Sequence, residues 1–153
     1  MTNILRAKLM HDKRTFRDIE ILSDATLMDL AEAILDAFEF EDHDHLFGFF
    51  DNMGRNYLDS NEKYELNLDM DDSWGGMDSG MPSEDVEETL VGSVFDAVKH
   101  KMQFVFDYGD EWRFEVEMRN FGNRKKSVKY PRILTSKGEA PEQYPEWDEN
   151  AEW

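Results

Sequence analysis

Histidines and carboxylates crowd one short stretch of this chain. His43 and His45 stand among Asp42, Asp44 and Asp51, the densest set of ligand types for a divalent ion. On an extended chain the two histidines share one face while Asp42 and Asp44 point to the other. A third ligand would have to come from elsewhere, with Asp107 and Asp110 as candidates. The competing reading is a structural His45 that caps or hydrogen-bonds beside a sheet.

Asp107, Asp110 and Glu111 surround Gly109. Paired carboxylates could do acid–base work if one sat in an apolar pocket that raised its pKa. The ordinary reading is an Asp–Gly turn whose carboxylates accept backbone N–H groups, followed by Trp112 as a core or rim aromatic. A binding cleft is expected where His45, Asp107, Asp110 and Trp112 could meet. Asn67-Leu68-Asp69-Met70-Asp71-Asp72 has oxygen ligands at alternate positions, as a calcium loop does. It lacks Gly at the sharp turn and the bidentate Glu, and reads as a solvated acidic loop. No Ser–His–Asp arrangement, phosphate-cradling glycine loop or dinucleotide fingerprint is present, and no cofactor is expected.

Residues 119–137 carry seven bases and no acid. Arg124, Lys125, Lys126 and Lys129, with Phe121 and Tyr130 nearby, have the composition of a phosphate-contacting strip. Against nucleic acid stands the whole chain: 35 Asp and Glu face 17 Lys and Arg, a formal net charge of −18. The bases either neutralise the chain's own carboxylates or meet an acidic partner. The opposite imbalance lies at 59–88, with eleven acids and one base, and at 139–153, with six acids.

The 153 residues suit one domain with a single core. With no Cys there is no disulfide framework and no thiolate chemistry. No stretch reaches the roughly 18 apolar residues of a membrane span, and the N-terminal residues lack a long apolar segment. A cytoplasmic location is the expectation.

The positioning elements follow from periodicity. Leu5-Arg6-Ala7-Lys8-Leu9 and Arg17-Asp18-Ile19-Glu20-Ile21 alternate as half-buried strands, joined through a polar connection at 11–14. Leu27, Leu30, Ala31, Ile34, Leu35 and Phe38 then mark one face of a helix over 27–38, started by a Thr26/Asp29 capping box. A strand is expected over 45–51 and a short helix around 86–95. Two strands, at 102–106 and 112–118, flank the Tyr108–Glu111 turn. Residues 59–88 read as a long acidic loop. The order gives an α+β fold, a mostly antiparallel sheet packed on one main helix with a β-grasp-like β-β-α-β start. Leu30, Ile34, Phe38, Leu46, Phe104, Phe106, Trp112 and Phe114 are the expected core. The domain would run over 1–138, with 139–153 as an acidic tail extended at its prolines.

Four segments carry a resemblance: the helix Thr26–Phe38, His45-Leu46-Phe47-Gly48-Phe49, the hairpin Phe104–Trp112 with its Asp107-Tyr108-Gly109-Asp110-Glu111-Trp112 turn, and Lys137-Gly138-Glu139-Ala140-Pro141-Glu142. Together they resemble the plasmid pRiA4b ORF-3-like family over about residues 3–147. The resemblance implies a fold and a mobile-element context, as a passenger of plasmids and transposons, and no established activity. This chain has Glu39-Phe40 where many members have Gly-Trp and Phe114 where many have His, and its late segment lacks their Cys and paired Gly. The expectation is a small acidic binding or accessory domain, with a protein partner and without a membrane. Two other readings stay open: nucleic-acid association through 119–137, and a metal-assisted hydrolase using His43 and His45. Oligomeric state is left open.

Overall fold

Alternation along the chain builds the sheet. The computed structural model describes residues 1–66 and 84–141. In β1 (Thr2–Leu9) and β2 (Asp12–Leu22), Leu5, Ala7, Leu9, Ile19 and Ile21 turn to one face and are almost fully buried. Helix α1 (Leu27–Ala37) follows, with β3 (Phe47–Phe50), β4 (Lys63–Glu65), β5 (Glu84–Asp85), a single turn α2 (Val91–Val94), β6 (Lys101–Phe106), β7 (Trp112–Gly122) and β8 (Arg132–Lys137). The described strands form one eight-stranded sheet in the order β5-β4-β3-β6-β7-β1-β2-β8. Each neighbouring pair is antiparallel apart from β4 and β5.

Leu27, Leu30, Ala31, Ile34 and Leu35 of α1 join one apolar cluster with Leu5, Ile19, Phe49, Phe104, Phe114 and Val116. The helix begins as its sequence dictates: the Thr26 hydroxyl accepts the Asp29 N–H at 3.1 Å, and Asp29 accepts the Thr26 N–H at 3.0 Å. The opposite face carries a small apolar cluster of Phe50, Tyr57 and Val105 at the β3–β6 part and is charged over β1, β2 and β7, where register sets acids against bases. Arg6 lies across from Asp18 and Lys8 across from Glu115. Arg6 meets Asp18 at 2.7 Å, while Lys8, Lys13 and Lys101 converge on Glu115.

Several expected boundaries move. The β1–β2 connection is tighter, because β2 starts at Asp12; the pairing jumps from Lys8↔Phe16 to Leu9↔Asp12, which absorbs residues 13–15 as an irregularity. The acidic stretch 59–88 is not all loop, since Lys63–Glu65 and Glu84–Asp85 pair as strands at the sheet edge. The Asn67–Asp72 motif lies outside the described residues, as do residues 142–153 of the tail. The helix expected over 86–95 is a single turn: Val86 is buried before it, and Leu90 forms a bridge to Thr26. Residues 119–137 hold the end of β7 and all of β8, a strand that alternation did not reveal because both its faces are exposed. Leu46, expected in the core, is 38 % exposed, because it precedes β3 rather than joining it. The β-β-α-β order is present, yet β3 pairs with β4 and β6 and β1 with β2 and β7, so the pairing gives one broad, mostly antiparallel sheet rather than a separate grasp unit.

Candidate functional site

The turn between β6 and β7 is held from several sides. Asp107 and Glu111 both have left-handed backbone, with φ of 62° and 53°. The Glu111 N–H closes on the Asp107 carbonyl at 2.6 Å, and the Asp107 N–H donates to the Leu46 carbonyl at 2.8 Å. One carboxylate oxygen of Asp107 accepts the Gly109 and Asp110 N–H groups at 3.1 and 3.3 Å. The other lies 3.6 Å from His45 Nδ1. His45 Nε2 is 3.0 Å from Asp42, and its ring stands edge-on to Phe106.

Two tyrosines brace the turn beneath. The Tyr108 hydroxyl donates to Glu65 at 2.6 Å and the Tyr57 hydroxyl to Glu111 at 2.7 Å, beside Phe50 and Val105. Burial, reinforced by the Glu111 carboxylate, pushes the Tyr57 phenol up to about 12; burial and the charge of Glu65 also push Tyr108 up. Gly48 of β3 makes this bracing feasible, since a Cβ there would fall 2.9 Å from both the Tyr108 hydroxyl and the Glu65 side chain.

An open cleft of about 400 Å³ lies beside the turn, lined by Met10, His11, Arg55, Asp110, Glu111 and Arg113. Of the four residues expected to share a cleft, Asp110 stands in this lining. Asp107 and His45 meet one another nearby. Trp112 packs edge-on to Phe40 at 4.9 Å and lies 6.2 Å from His11, and its buried Nε1–H has no partner among the described residues. Arg113 donates to Gln103 and to the Met53 carbonyl, so its head group is oriented. His11, Arg55 and Arg113 escaped the sequence reading. His11 and Arg55 sit in connections, where no periodicity marks a side chain's direction; the Met10 N–H bonds to the Arg113 carbonyl, and Gln103, donating to the Asn52 and Gly54 carbonyls, holds the connection that carries Arg55.

His43 and His45 do not converge. His43 Nε2 donates to the Phe40 carbonyl at 2.7 Å and lies 3.4 Å from Asp36, whereas His45 is turned to Asp42 and Asp107. Among the described residues no group of three His, Asp or Glu side chains is arranged to hold a metal ion.

The basic segment divides. Arg119 pairs with Glu117 at 3.0 Å and Arg132 with Glu20 at 2.8 Å, in-chain neutralisation. Arg124, Lys125, Lys126 and Lys129 are exposed in the β7–β8 connection, which is held by a 3.0 Å bond from the Lys125 N–H to the Tyr130 hydroxyl. Lys125 acts electrostatically on Glu20. Arg124, Lys126 and Lys129 make no ion pair among the described residues.

Set against known proteins, residues 3–144 match the family model described as Plasmid pRiA4b ORF-3-like protein. No curated protein matches the chain. A crystal structure of a protein of unknown function from Methanosarcina mazei Go1 is similar, with a TM-score of 0.67 and 18 % identity, over 88 % of this chain and 68 % of that one. At that identity the likeness is one of fold. No helix among the described residues is long and apolar enough to cross a membrane.

Proposed function

The chain belongs to the plasmid pRiA4b ORF-3-like family, and from that premise we propose that it is a binding domain whose ligand lies in the cleft beside the β6–β7 turn. The observation that carries this reading is the presence of both charge signs in one lining: Arg55 and Arg113 with Asp110 and Glu111, beside His11. The fixed groups are preorganised. Glu111 is held by Tyr57 and Arg113 by Gln103, so a ligand would not have to order them on arrival. Such a cleft suits a dipolar ligand, its carboxylate toward Arg113 and Arg55 and its ammonium toward Glu111 and Asp110. Peptide termini and amino acids have that chemistry. A cytoplasmic accessory role in a mobile element is the biological setting that goes with this reading.

Amide NMR titration of the whole protein with the dipeptide Gly-Leu tests it. Shifts should cluster at His11, Arg55 and Asp110, and both Asp110→Asn and Arg55→Gln should weaken binding by roughly fivefold or more. Shifts elsewhere, or unchanged affinity in both variants, would refute the reading.

A second reading has its own observation. The exposed Arg124, Lys125, Lys126 and Lys129 form a cationic loop on an acidic protein, which supports contact with nucleic-acid phosphates. Anisotropy of a labelled single-stranded oligonucleotide should then show salt-dependent binding. Each of Lys125→Ala and Lys126→Ala should lower the logarithmic salt slope by about 0.7. Absence of binding at low salt would end this reading.

A further inference from the structure

Helix α1 leaves the outer end of the sheet uncovered. Beyond it, β8 pairs with β2 so that Ile133 lies across from Ile19, but Ile19 is 1 % exposed and Ile133 is 50 % exposed. Two adjoining cavities, of about 370 and 140 Å³, share Ala33, Asp36 and Pro131 and run as one groove between α1 and the β2–β8 end of the sheet. Its apolar surface comes from Ile21, Ala33, Pro131 and Ile133.

Both boundaries are built. At one end Arg17, itself 4 % exposed, donates from Nε to the Ala37 carbonyl at 3.0 Å and from a terminal nitrogen to the Lys137 carbonyl at 2.9 Å, tying the helix end to the end of β8. At the other end stands Tyr130. The helix side is acidic: Asp29, Glu32 and Asp36, spaced to share one helix face, are exposed and line the groove. Asp29 keeps one oxygen on the Thr26 N–H, and Asp36 lies near His43. Arg132, which also borders the groove, has its guanidinium on Glu20.

We infer that this groove is a docking site for a basic partner segment that also carries apolar side chains, its lysines or arginines meeting Asp29, Glu32 and Asp36 and an aliphatic residue covering Ile133. Charge selects this occupant over the alternatives. The net charge of −18 draws cationic chains toward the surface. Residues 142–153 hold five acids and no base, so the acidic wall opposes their entry, and a second copy, at −18 overall, is repelled at long range even though its Arg124–Lys129 loop is cationic. The apolar floor distinguishes the site from a simple acidic patch, because desolvating Ile133 adds a contribution that salt does not screen. This inference is independent of the cleft beside the β6–β7 turn, which lies among other residues.

The test is anisotropy of a short fluorescein-labelled peptide of Lys and Leu, patterned as an amphipathic helix, with the full-length protein. The triple variant Asp29→Asn, Glu32→Gln, Asp36→Asn should weaken binding by roughly tenfold or more. An equal charge change at the exposed Glu84, Glu87 and Glu88, each to Gln, should leave affinity within about twofold. Ile133→Ser should weaken binding, Leu134→Ser should not, and a Lys/Ser peptide without leucine should bind poorly. Circular dichroism of each variant establishes that the fold is kept. Equal losses in the two triple variants would reduce the effect to net charge and overturn the proposal. So would displacement of the probe by a peptide of residues 142–153, which would make the chain's own tail the occupant. A concentration-dependent dimer abolished by Ile133→Ser would assign the groove to a second copy and overturn it as well.

Discussion

Arg17 shows how one side chain can join three elements. It sits on the core face of β2, in phase with Ile19 and Ile21, where alternation calls for an apolar residue. Its guanidinium reaches the Ala37, Phe16 and Lys137 carbonyls and lies 4.9 Å over the Phe38 ring. Burial lowers its pKa, against the opposing charge of Glu39, yet it remains a cation that satisfies an orphan carbonyl at the helix end. Arg17→Ala should therefore cost about 2–4 kcal/mol, more than a surface arginine, as read by urea unfolding. An arginine in phase with two isoleucines was visible in the sequence. Which carbonyls it would reach was not, since Ala37 and Lys137 are distant along the chain.

At the scale of elements, α1 was readable nearly to the residue, because its information is local. The apolar spacing defines the buried face, and Thr26 and Asp29 define the start through two reciprocal bonds. Thr26→Ala should destabilise the protein by about 1 kcal/mol, measured as a shift in the urea midpoint without a change in slope. Thr26 also forms the backbone bridge to Leu90, which the substitution leaves in place. The strands β4, β5 and β8 were not readable. The first two are three and two residues long, too short to show a period, and β8 exposes both faces, so Ile133 and Leu134 follow one another with no polar alternation. The hairpin turn was legible from Asp107, Gly109 and Asp110, whereas the bracing of Glu111 by Tyr57 was not, because it spans 54 positions.

Across the whole molecule, the charge that dominates the composition is organised by register. Burial raises the pKa of Glu115, but its hydrogen bond with Lys13 and the charges of Lys13, Lys101 and Lys8 outweigh that and hold it below the ordinary carboxylate value. Glu20 behaves alike: burial pushes it up, and Thr2 and Arg132 bring it below. A carboxylate with a depressed folded pKa contributes stability that is present above its unfolded pKa, about 4.3 for Glu, and is lost as pH falls through the lower folded value. Unfolding curves between about pH 7 and pH 3 should show this loss, and Glu115→Gln should be less stable than the parent near pH 7 and fall less steeply on acidification. A parallel fall in both proteins would remove Glu115 from the account. The sequence alone determined what depends on near neighbours: the main helix and its cap, the long alternating strands, the hairpin turn, the absence of thiol chemistry and the separation of acidic from basic segments. Tertiary structure decided what depends on residues far apart: that Lys8, Lys13 and Lys101 share one carboxylate, that Asp107 meets His45 while His43 turns away, and that β8 carries Ile133 past the reach of α1. The physical reason is that periodicity and capping act over a few residues, whereas sheet register sets distant side chains opposite one another and no local pattern encodes that choice.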